Sequence, residues 1–305
     1  MEPCYPTFGK YLETRSKIIR SVRRFFYDRD YIEVETPIRI PCPIPEAHID
    51  PYESEGWSLQ ASPEICMKQL LSRGHGRLFQ IARVFRKDER GDKHLPEFSL
   101  LEWYTKDATY LDLMDQATVL FLELSADMGL GQSLQYQNHA ISLKPPWDSI
   151  TVAEAFERYS STTVEKALEN GSYDEVMGLE IEPKLGFDKP VFLYDYPESK
   201  ASLARLKQEN PKVAERVELY IAGLELANGF TELNDCEEQS RRFKSEHTLR
   251  SQLGKKNYPL PEPFLQSLAQ MPPCAGIAAG LDRIVMLFCD TKSIDDVVAF
   301  VPENL

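Results

Sequence analysis

The most informative segment of the sequence spans residues 85–104 and reads FRKDERGDKHLPEFSLLEWY. It begins with Arg86 at the end of an apolar run and continues through a charged loop that contains one glycine. It then returns as a second apolar run that carries Glu97 and Glu102. Two apolar runs joined by a polar, glycine-containing segment predict an antiparallel hairpin with a long loop at its tip. Because loops and loop ends on a rigid scaffold commonly carry function, we expect functional side chains at the base of this hairpin.

The composition is that of a soluble globular protein. The chain has 305 residues, of which 42% are hydrophobic and 27% charged. This length allows two domains, but it also suits one catalytic unit with a large core. The net charge of −13 argues against an extended nucleic-acid surface, because surfaces that neutralise phosphates are usually basic.

The cysteines do not form a metal-binding pattern. They make no CxxC pair and have no histidine at zinc-ligand spacing, which argues against a structural zinc. Scattered reduced thiols fit a cytoplasmic protein, and neither a signal peptide nor an apolar run approaching the roughly 18 residues of a membrane span is present. The six positions are Cys4, Cys42, Cys66, Cys236, Cys274 and Cys289.

An amphipathic helix is predicted over residues 14–29, followed by a short strand over residues 31–34 that ends near Thr36-Pro37. The apolar positions of the helix recur at helical spacing and comprise Ile18, Ile19, Val22, Phe25 and Phe26. We expect the basic side chains to occupy the solvated remainder of its surface, namely Arg15, Lys17, Arg20, Arg23 and Arg24.

Residues 40–51 contain three closely spaced prolines, which predict an irregular surface loop. Residues 59–71, LQASPEICMKQLL, come next, and Ser62-Pro63 predicts the start of a helix. Glu64 then lies near the helix start, where a carboxylate is favourable for the helix dipole alone.

A second set of candidate residues lies in residues 217–233, VELYIAGLELANGFTEL. We interpret this segment as a strand carrying Glu225, a turn at Asn228-Gly229, and Glu232. Two carboxylates that face one site raise each other's pKa, and magnesium ions that bridge nucleotide phosphates would relieve that cost. Two solvent-exposed glutamates on an edge strand are the simpler alternative.

Residues 274–288, CAGIAAGLDRIVMLF, combine a run of small residues with Asp282-Arg283 at the start of an apolar helix. Small residues permit a close approach of the backbone, but such a run is a weak signal in isolation. The remaining predicted elements are strands over 78–85 and 191–196, helices over 111–128, 234–254 and 260–269, and a capped helix that begins near Thr151 and Glu154.

Three of these segments, in this order, resemble motifs 1, 2 and 3 of the class II aminoacyl-tRNA synthetases. Motif 1 corresponds to residues 14–37, motif 2 to residues 85–104 and motif 3 to residues 274–288. Among these enzymes the chain is most similar to the lysyl-tRNA synthetase branch. The resemblance implies an α+β fold, an antiparallel sheet flanked by helices, and a homodimer built on motif 1. We expect one catalytic domain over residues 1–305, with an insertion at about 129–187.

Within that branch, Ser62, Trp103 and Ala278 resemble the free-standing paralogues that attach (R)-β-lysine to elongation factor P. The motif 1 helix begins near residue 14, which leaves no room before it for an anticodon-binding barrel of on the order of 100 residues. The resemblance therefore implies ATP and Mg²⁺ as cofactors, and (R)-β-lysine and elongation factor P as substrates. We expect no tRNA substrate and no membrane association.

The resemblance also implies roles for individual residues. Arg86 would contact the α-phosphate and Arg283 the γ-phosphate of ATP, and both are the predicted catalytic residues. Glu225 and Glu232 would bind magnesium. The predicted amino-acid pocket comprises Ser62, Glu64, Tyr104, Asn228, Phe230, Glu232 and Ala278. The predicted nucleotide contacts comprise Arg86, Asp88, Leu95, Glu225, Leu226, Gly280 and Arg283.

Two positions depart from the family pattern. Asp88 stands where the family usually has glutamate, so its adenine contact would shift or pass to Glu89, and Leu95 replaces an asparagine and cannot donate a hydrogen bond. The added methyl group of Ala278 would bias the pocket between lysine isomers by roughly 1–3 kcal/mol. The alternatives are a non-catalytic paralogue, which would usually lose the arginines or carboxylates retained here, and an enzyme that activates α-lysine or another amino acid for a different acceptor.

Overall fold

The computed structural model describes residues 8–305, with side chains from residue 11 onward. Cys4 and the rest of residues 1–7 lie outside this described part. The strands are β1 (Ile32–Glu33), β2 (Arg39–Ile40), β3 (Glu53–Ser54), β4 (Trp57–Leu59), β5 (Arg77–Phe85), β6 (Glu97–Lys106), β7 (Ser133–Tyr136), β8 (His139–Ser142), β9 (Asp148–Thr151), β10 (Val191–Pro197), β11 (Val213–Ile221), β12 (Leu224–Thr231) and β13 (Cys274–Gly280).

The helices alternate irregularly with these strands. They are α1 (Phe8–Tyr27), α2 (Glu64–Leu71), α3 (Tyr110–Asp127), α4 (Val152–Tyr159), α5 (Val164–Glu169), α6 (Tyr173–Val176), α7 (Cys236–Gln252), α8 (Glu262–Leu268) and α9 (Leu281–Cys289). A π-turn covers Met177–Ile181, and 3₁₀ turns cover Glu182–Lys184, Glu198–Lys200, Ile294–Val297 and Pro302–Asn304. No helix in the described chain is both long and apolar enough to cross a bilayer.

Eight strands form the main sheet, in the order β1-β5-β6-β13-β12-β11-β10-β9. The strands from β5 to β10 pair antiparallel, and only the two edge strands pair parallel, β1 with β5 and β9 with β10. The predicted α+β fold with an antiparallel sheet is confirmed. The predicted hairpin is also confirmed, since β5 and β6 pair from Arg77 opposite Thr105 to Phe85 opposite Glu97.

One face of the sheet carries the main core. Side chains of α1 pack there against β5 and β6, with the Phe26 ring stacked on Phe79 at 4.6 Å and tilted against Trp103 at 5.3 Å. Helices α3 and α9 contribute to the same core, whose members include Phe121 and Val285. Since successive residues of a strand point to opposite faces, the alternate positions of β6 face the other side of the sheet, where the cleft lies.

Helix α1 begins earlier than predicted, at Phe8 rather than residue 14, and Arg15 is not part of a solvated face. Its side chain is largely buried and forms an ion pair with Asp282 at the start of α9. Arg15 Nη2 also donates to Ser99 Oγ at 2.8 Å, and Asp282 Oδ2 accepts from the Ser99 backbone N–H at 2.7 Å. This buried network joins the three predicted motifs, and a periodicity count cannot distinguish such an arginine from its exposed neighbours.

The predicted turn at Asn228-Gly229 is wrong, because both residues lie inside β12. The turn occurs earlier, at Ala222 and Gly223, whose φ angles of 52° and 68° suit a tight hairpin. Gly229 is required for another reason, since a Cβ atom at this position would lie 2.6 Å from the Ile277 side chain on β13. Gly229 permits the close approach of β12 and β13, and in the sequence an Asn-Gly pair that serves this purpose looks the same as one that forms a turn.

The segment over residues 129–187 holds the β7-β8 hairpin, the edge strand β9 and helices α4 to α6. These helices enclose a second core around Phe156 and Tyr173, whose rings stack at 5.4 Å. The predicted cap at Thr151 and Glu154 is confirmed as a capping box at the start of α4. Because β9 pairs with β10, this segment is continuous with the main sheet.

Candidate active site

A cleft lies on the face of the sheet opposite α1, and β6, β13 and β12 form its floor. Two cross-strand rows line it. One row joins Asn228, Ala278 and Glu102, and the other joins Phe230, Gly276 and Tyr104. In both rows the middle strand contributes the smallest side chain, so the floor is lowest along β13 and the flanking side chains form walls.

Gly276 shows why this floor needs small residues. A Cβ atom at Gly276 would lie 2.2 Å from the Tyr104 ring and 2.5 Å from Glu232 Oε1. Ala278 adds one methyl group to the floor between Asn228 and Glu102. The small-residue run predicted to permit close approach therefore shapes a pocket.

A β-bulge sets the direction of the carboxylates on β12. Glu225 and Glu232 are seven residues apart, and an odd separation along a regular strand places side chains on opposite faces. Tyr220 pairs with Glu225 and Leu219 with Ala227, so Leu226 is an extra residue on β12. The bulge shifts the alternation by one. Both glutamates consequently line the cleft, as does Leu226.

The deep end of the cleft gathers three carboxylates, those of Glu64, Glu102 and Glu232, around the buried ammonium group of Lys68. Lys68 is 1% exposed; its Nζ lies 2.5 Å from Glu64 Oε1 and also contacts Glu232. Burial alone would lower the pKa of Lys68, but the carboxylates of Glu232 and Glu64 outweigh it and hold this pKa above its ordinary value. Lys68 is therefore a fixed, buried cation that contacts two of the carboxylates lining the pocket.

Glu102 forms no ion pair with any side chain that the structure describes. Its carboxylate accepts hydrogen bonds from Ser62 Oγ at 2.7 Å and Tyr104 Oη at 2.6 Å. Burial, with the Glu64 carboxylate nearby, raises the pKa of Glu102 to about 7. Burial likewise raises the pKa of Glu232 to about 8, even though Lys68 opposes the shift. The raised pKa values of these two neighbouring carboxyls reflect their burial, which the charge of Lys68 offsets only in part.

Neither Glu102 nor Lys68 was among the site residues predicted from the sequence. A usable signal existed for both. Glu102 and Tyr104 alternate on β6 and so face the same side. Lys68 follows Glu64 by four residues on α2, which places it on the same face of that helix. The sequence does not show that α2, β6 and β12 bring these side chains together at one point.

At the shallow end of the cleft, Arg86 and Arg283 provide two guanidinium groups that could bind anions. The guanidinium group of Arg86 lies 5.1 Å from the Phe98 ring centroid and 3.8 Å from Glu89, and its Nε is buried without a hydrogen-bond partner. Arg283 donates from Nη1 to the Glu225 backbone carbonyl at 2.8 Å. Its Nη2 lies 2.6 Å from His94 Nε2. Desolvation and the Arg283 charge hold the pKa of His94 below its usual value, so this ring accepts as a neutral imidazole.

The cleft lining contains every predicted site residue except Asp88. Asp88 is exposed on the hairpin loop with a φ of 66°, and Glu89 lines the cleft in its place. Leu95 is 3% exposed and contributes an apolar wall. The other predicted residues that line the cleft are Ser62, Glu64, Arg86, Tyr104, Glu225, Leu226, Asn228, Phe230, Glu232, Ala278, Gly280 and Arg283.

The two predicted magnesium ligands, Glu225 and Glu232, both line the cleft. Glu232 contacts Lys68, whereas Glu225 lies beside Arg283. Burial and the nearby charges of Glu218 and Glu225 raise the pKa of Glu182 to about 7.

The chain matches the family model of class II tRNA synthetases for aspartate, lysine and asparagine over residues 5–304. The chain belongs to this family. It is 36% identical over 311 residues to an elongation factor P (R)-β-lysine ligase of Avibacterium paragallinarum, covering 96% of this chain and 95% of the relative. It is 37% identical over 305 residues to the protein of the same name in Proteus mirabilis, with 94% and 93% coverage. The corresponding protein of Salmonella paratyphi B is 37% identical over 307 residues, with 95% and 94% coverage.

Family membership accounts for the arrangement of the three motifs in the structure. Motif 1 supplies Arg15, motif 2 supplies Ser99, and motif 3 supplies Asp282, and these side chains meet in one buried network. The arginines of motifs 2 and 3, Arg86 and Arg283, then line the same cleft.

Proposed function

We propose that this class II synthetase relative activates (R)-β-lysine with ATP and transfers it, in the cytoplasm, to a lysine side chain of elongation factor P. The names of relatives aligned over nearly the whole chain support this reaction.

The observation that carries the proposal is the charge of the deep pocket. Glu64, Glu102 and Glu232 contribute three carboxyl groups, and Lys68 contributes one ammonium group, so up to two carboxylates lack a cationic partner among the described residues when all three are ionised. Lysine and its β-isomer each carry two ammonium groups. A ligand that brings two cations therefore completes the pocket, whereas an amino acid with a neutral side chain leaves one buried carboxylate unpaired.

The activation step requires alignment and charge neutralisation rather than a protein nucleophile. A carboxylate oxygen of the amino acid attacks the α-phosphorus of ATP, and pyrophosphate leaves. Arg86, whose Nε has no hydrogen-bond partner, would stabilise charge on the α-phosphate. Arg283 would contact the γ-phosphate, and Leu95, Leu226 and Gly280 would pack around the nucleotide.

Carboxylates that line the cleft could hold magnesium there, and the Glu225 side chain is 38% exposed. Bound Mg²⁺ would neutralise phosphate charge. We propose Glu225 and Glu232, which both line the cleft, as its ligands, with Glu232 also contacting the amino acid.

The position of Ala278 supports selection of the lysine isomer. Its methyl group occupies the floor between Asn228 and Glu102, next to the carboxylate proposed to hold an ammonium group. The amino group of β-lysine is one carbon further from the carboxylate than that of α-lysine. The ammonium group of each isomer would therefore lie at a different position relative to the Ala278 methyl group. We also propose a homodimer through the motif 1 face, where Tyr27 and Ile32 are more than half exposed.

ATP–pyrophosphate exchange tests the activation step. We expect (R)-β-lysine to stimulate exchange well above α-lysine, and norleucine, which lacks the side-chain ammonium group, to give none. Transfer to elongation factor P is then measured with a labelled amino acid. Exchange with no lysine isomer would favour a non-catalytic paralogue, and preferred use of α-lysine with charging of tRNA would favour a synthetase.

A further inference from the structure

The transfer step needs a proton acceptor. At a reference pKa of about 10.4, an acceptor lysine is neutral in roughly one molecule in 2,500 at pH 7. Only the neutral amine attacks an acyl-adenylate, so a base close to the reacting carbonyl carbon would accelerate the reaction.

Most carboxylates of the cleft are already engaged. Glu64 and Glu232 pair with Lys68, Glu102 accepts from Ser62 and Tyr104, and Asp282 pairs with Arg15. Glu225 contacts Arg283, and Glu89 lies 3.8 Å from Arg86.

Glu46 differs from all of these. It lines the cleft from the proline-rich loop and is half-buried, and no described residue hydrogen-bonds to its carboxylate or pairs with it. From this geometry we infer that Glu46 is the proton acceptor of the transfer step, a role that rests on the proposed function.

The loop that carries Glu46 is held in place from α7. Arg250 is 2% exposed and donates from Nη1 to the backbone carbonyls of Glu46 at 2.7 Å and Ile49 at 3.1 Å. Its Nη2 donates to Asp50 Oδ1 at 2.6 Å. A fourth contact joins the Ala47 N–H to Glu246 Oε2 at 2.8 Å. The side chain of Glu46 therefore projects from a fixed backbone, although α7 itself does not line the cleft.

The loop is also tied to the proposed phosphate site. The Lys87 N–H, adjacent to Arg86, donates to the Asp50 carbonyl at 2.8 Å. The charged groups that act on Glu46 are Arg86, Glu246, Glu64 and Arg216. Burial raises the pKa of Glu46, the Arg86 charge opposes this, and Glu246 and Glu64 add to it. Glu46 thus lines the same cleft as Arg86, proposed for the α-phosphate, and Glu64, proposed for an ammonium group, and lies within electrostatic range of both.

The acceptor ammonium gives one proton to the Glu46 carboxylate, and the resulting amine attacks the carbonyl carbon of the adenylate. The new C–N bond forms as the C–O bond to the phosphate breaks. The second proton of the nitrogen leaves with the departing AMP, whose phosphate accepts it, and Glu46 later returns its proton to solvent.

Glu46→Gln tests this role because it preserves the shape of the side chain and removes the base. Exchange and transfer are measured on the same full-length preparation, and the ratio of transfer rate to exchange rate is compared with that of the wild type. We expect this ratio to fall about 100-fold, within the range typical of general-base removal. Glu46→Asp should restore part of it, and Glu55→Gln, which changes an exposed glutamate, is the matched control.

Two further readouts separate chemistry from structure. Hydroxylamine is already neutral at pH 7, so the loss should be at least tenfold smaller when it replaces the protein acceptor. In Glu46→Gln, transfer to elongation factor P should rise about tenfold per pH unit as the acceptor lysine deprotonates unaided, whereas the wild-type profile should be flatter. A transfer-to-exchange ratio within threefold of wild type, or equal losses with both acceptors, would overturn the assignment of Glu46. Absence of exchange in the wild type would instead refute the proposed function.

Discussion

The two ends of the cleft differ in their charged groups, since carboxyl groups predominate at the deep end and two arginines lie at the shallow end. At the deep end, Glu102 and Glu232 are nearly inaccessible and outnumber the one cation, Lys68, that accompanies them. At the shallow end, the side chains of Arg86 and Arg283 are 28% and 19% exposed and lie beside Glu89 and Glu225, respectively. The deep end has more carboxyl groups than cations, whereas at the shallow end each of these two arginines lies next to one carboxylate.

This difference indicates which end of the cleft would bind the amino acid and which would bind the phosphates of ATP. A buried carboxylate without a counter-ion costs several kcal/mol, so the deep end discriminates strongly between ligands that carry two, one or no cations. The shallow arginines remain partly hydrated and gain most when a phosphate displaces that water. Specificity for the amino acid is thus expected at the deep end, and rate acceleration at the shallow end.

The largest effect should follow from removing an arginine at the shallow end. We expect Arg86→Met to lower the exchange rate about 1,000-fold, or about 4 kcal/mol, because its charge matters most when negative charge grows on the α-phosphate. The effect should appear in kcat. Lys87→Met, which removes an exposed cation one residue away, should stay within about twofold of the wild type. An Arg86→Met enzyme with more than a tenth of wild-type exchange would contradict the division of roles.

An intermediate effect is expected at the deep end. Glu102→Gln keeps an acceptor for Ser62 and Tyr104 but removes the charge, so the KM for (R)-β-lysine should rise about 10- to 100-fold, in line with about 1.5–3 kcal/mol for a charged hydrogen bond. The KM for ATP should change little. Glu97→Gln, on an exposed position of the same strand, provides the control.

The same variant has a pH signature. The pKa of Glu102 is raised to about 7, and only its ionised form pairs with an ammonium group, so wild-type affinity for the amino acid should be lost as pH falls through 7. Because the pKa of Glu232 is raised to about 8, the affinity for the amino acid should continue to increase as the pH rises above 7. Titration calorimetry between pH 6 and 9 should show a flatter profile for Glu102→Gln. Identical profiles for both proteins would refute this account of the pocket.

The smallest effect should come from the pocket floor. Ala278→Gly removes one methyl group between Asn228 and Glu102, and use of α-lysine relative to (R)-β-lysine should increase about tenfold, as expected for a methyl-sized change. Ala279→Gly makes the same backbone change on the opposite, core-facing side of β13 and should leave the ratio unaltered. The prediction fails if Ala278→Gly leaves the isomer ratio unchanged.

Much of the fold follows from local patterns. The hairpin of β5 and β6, helix α3 and the capping box of α4 are encoded by apolar periodicity and by residues that act within a few positions of each other. The misplaced turn at Asn228-Gly229 shows where such patterns fail. The glycine there is required by Ile277 on a neighbouring strand, and no local rule distinguishes that requirement from a turn.

For the site, motif order and residue type predicted many of the side chains that line the cleft, because each motif carries its residues on elements that the sequence specifies locally, although Asp88 lies outside the cleft and Glu102 was not predicted. Tertiary structure decided their partners. Lys68 neutralises Glu232, Arg15 is buried against Asp282, and the Leu226 bulge turns Glu225 into the cleft. The physical reason is that charge pairing and burial depend on distances between elements far apart in the chain, and only packing of the whole sheet and its helices sets those distances.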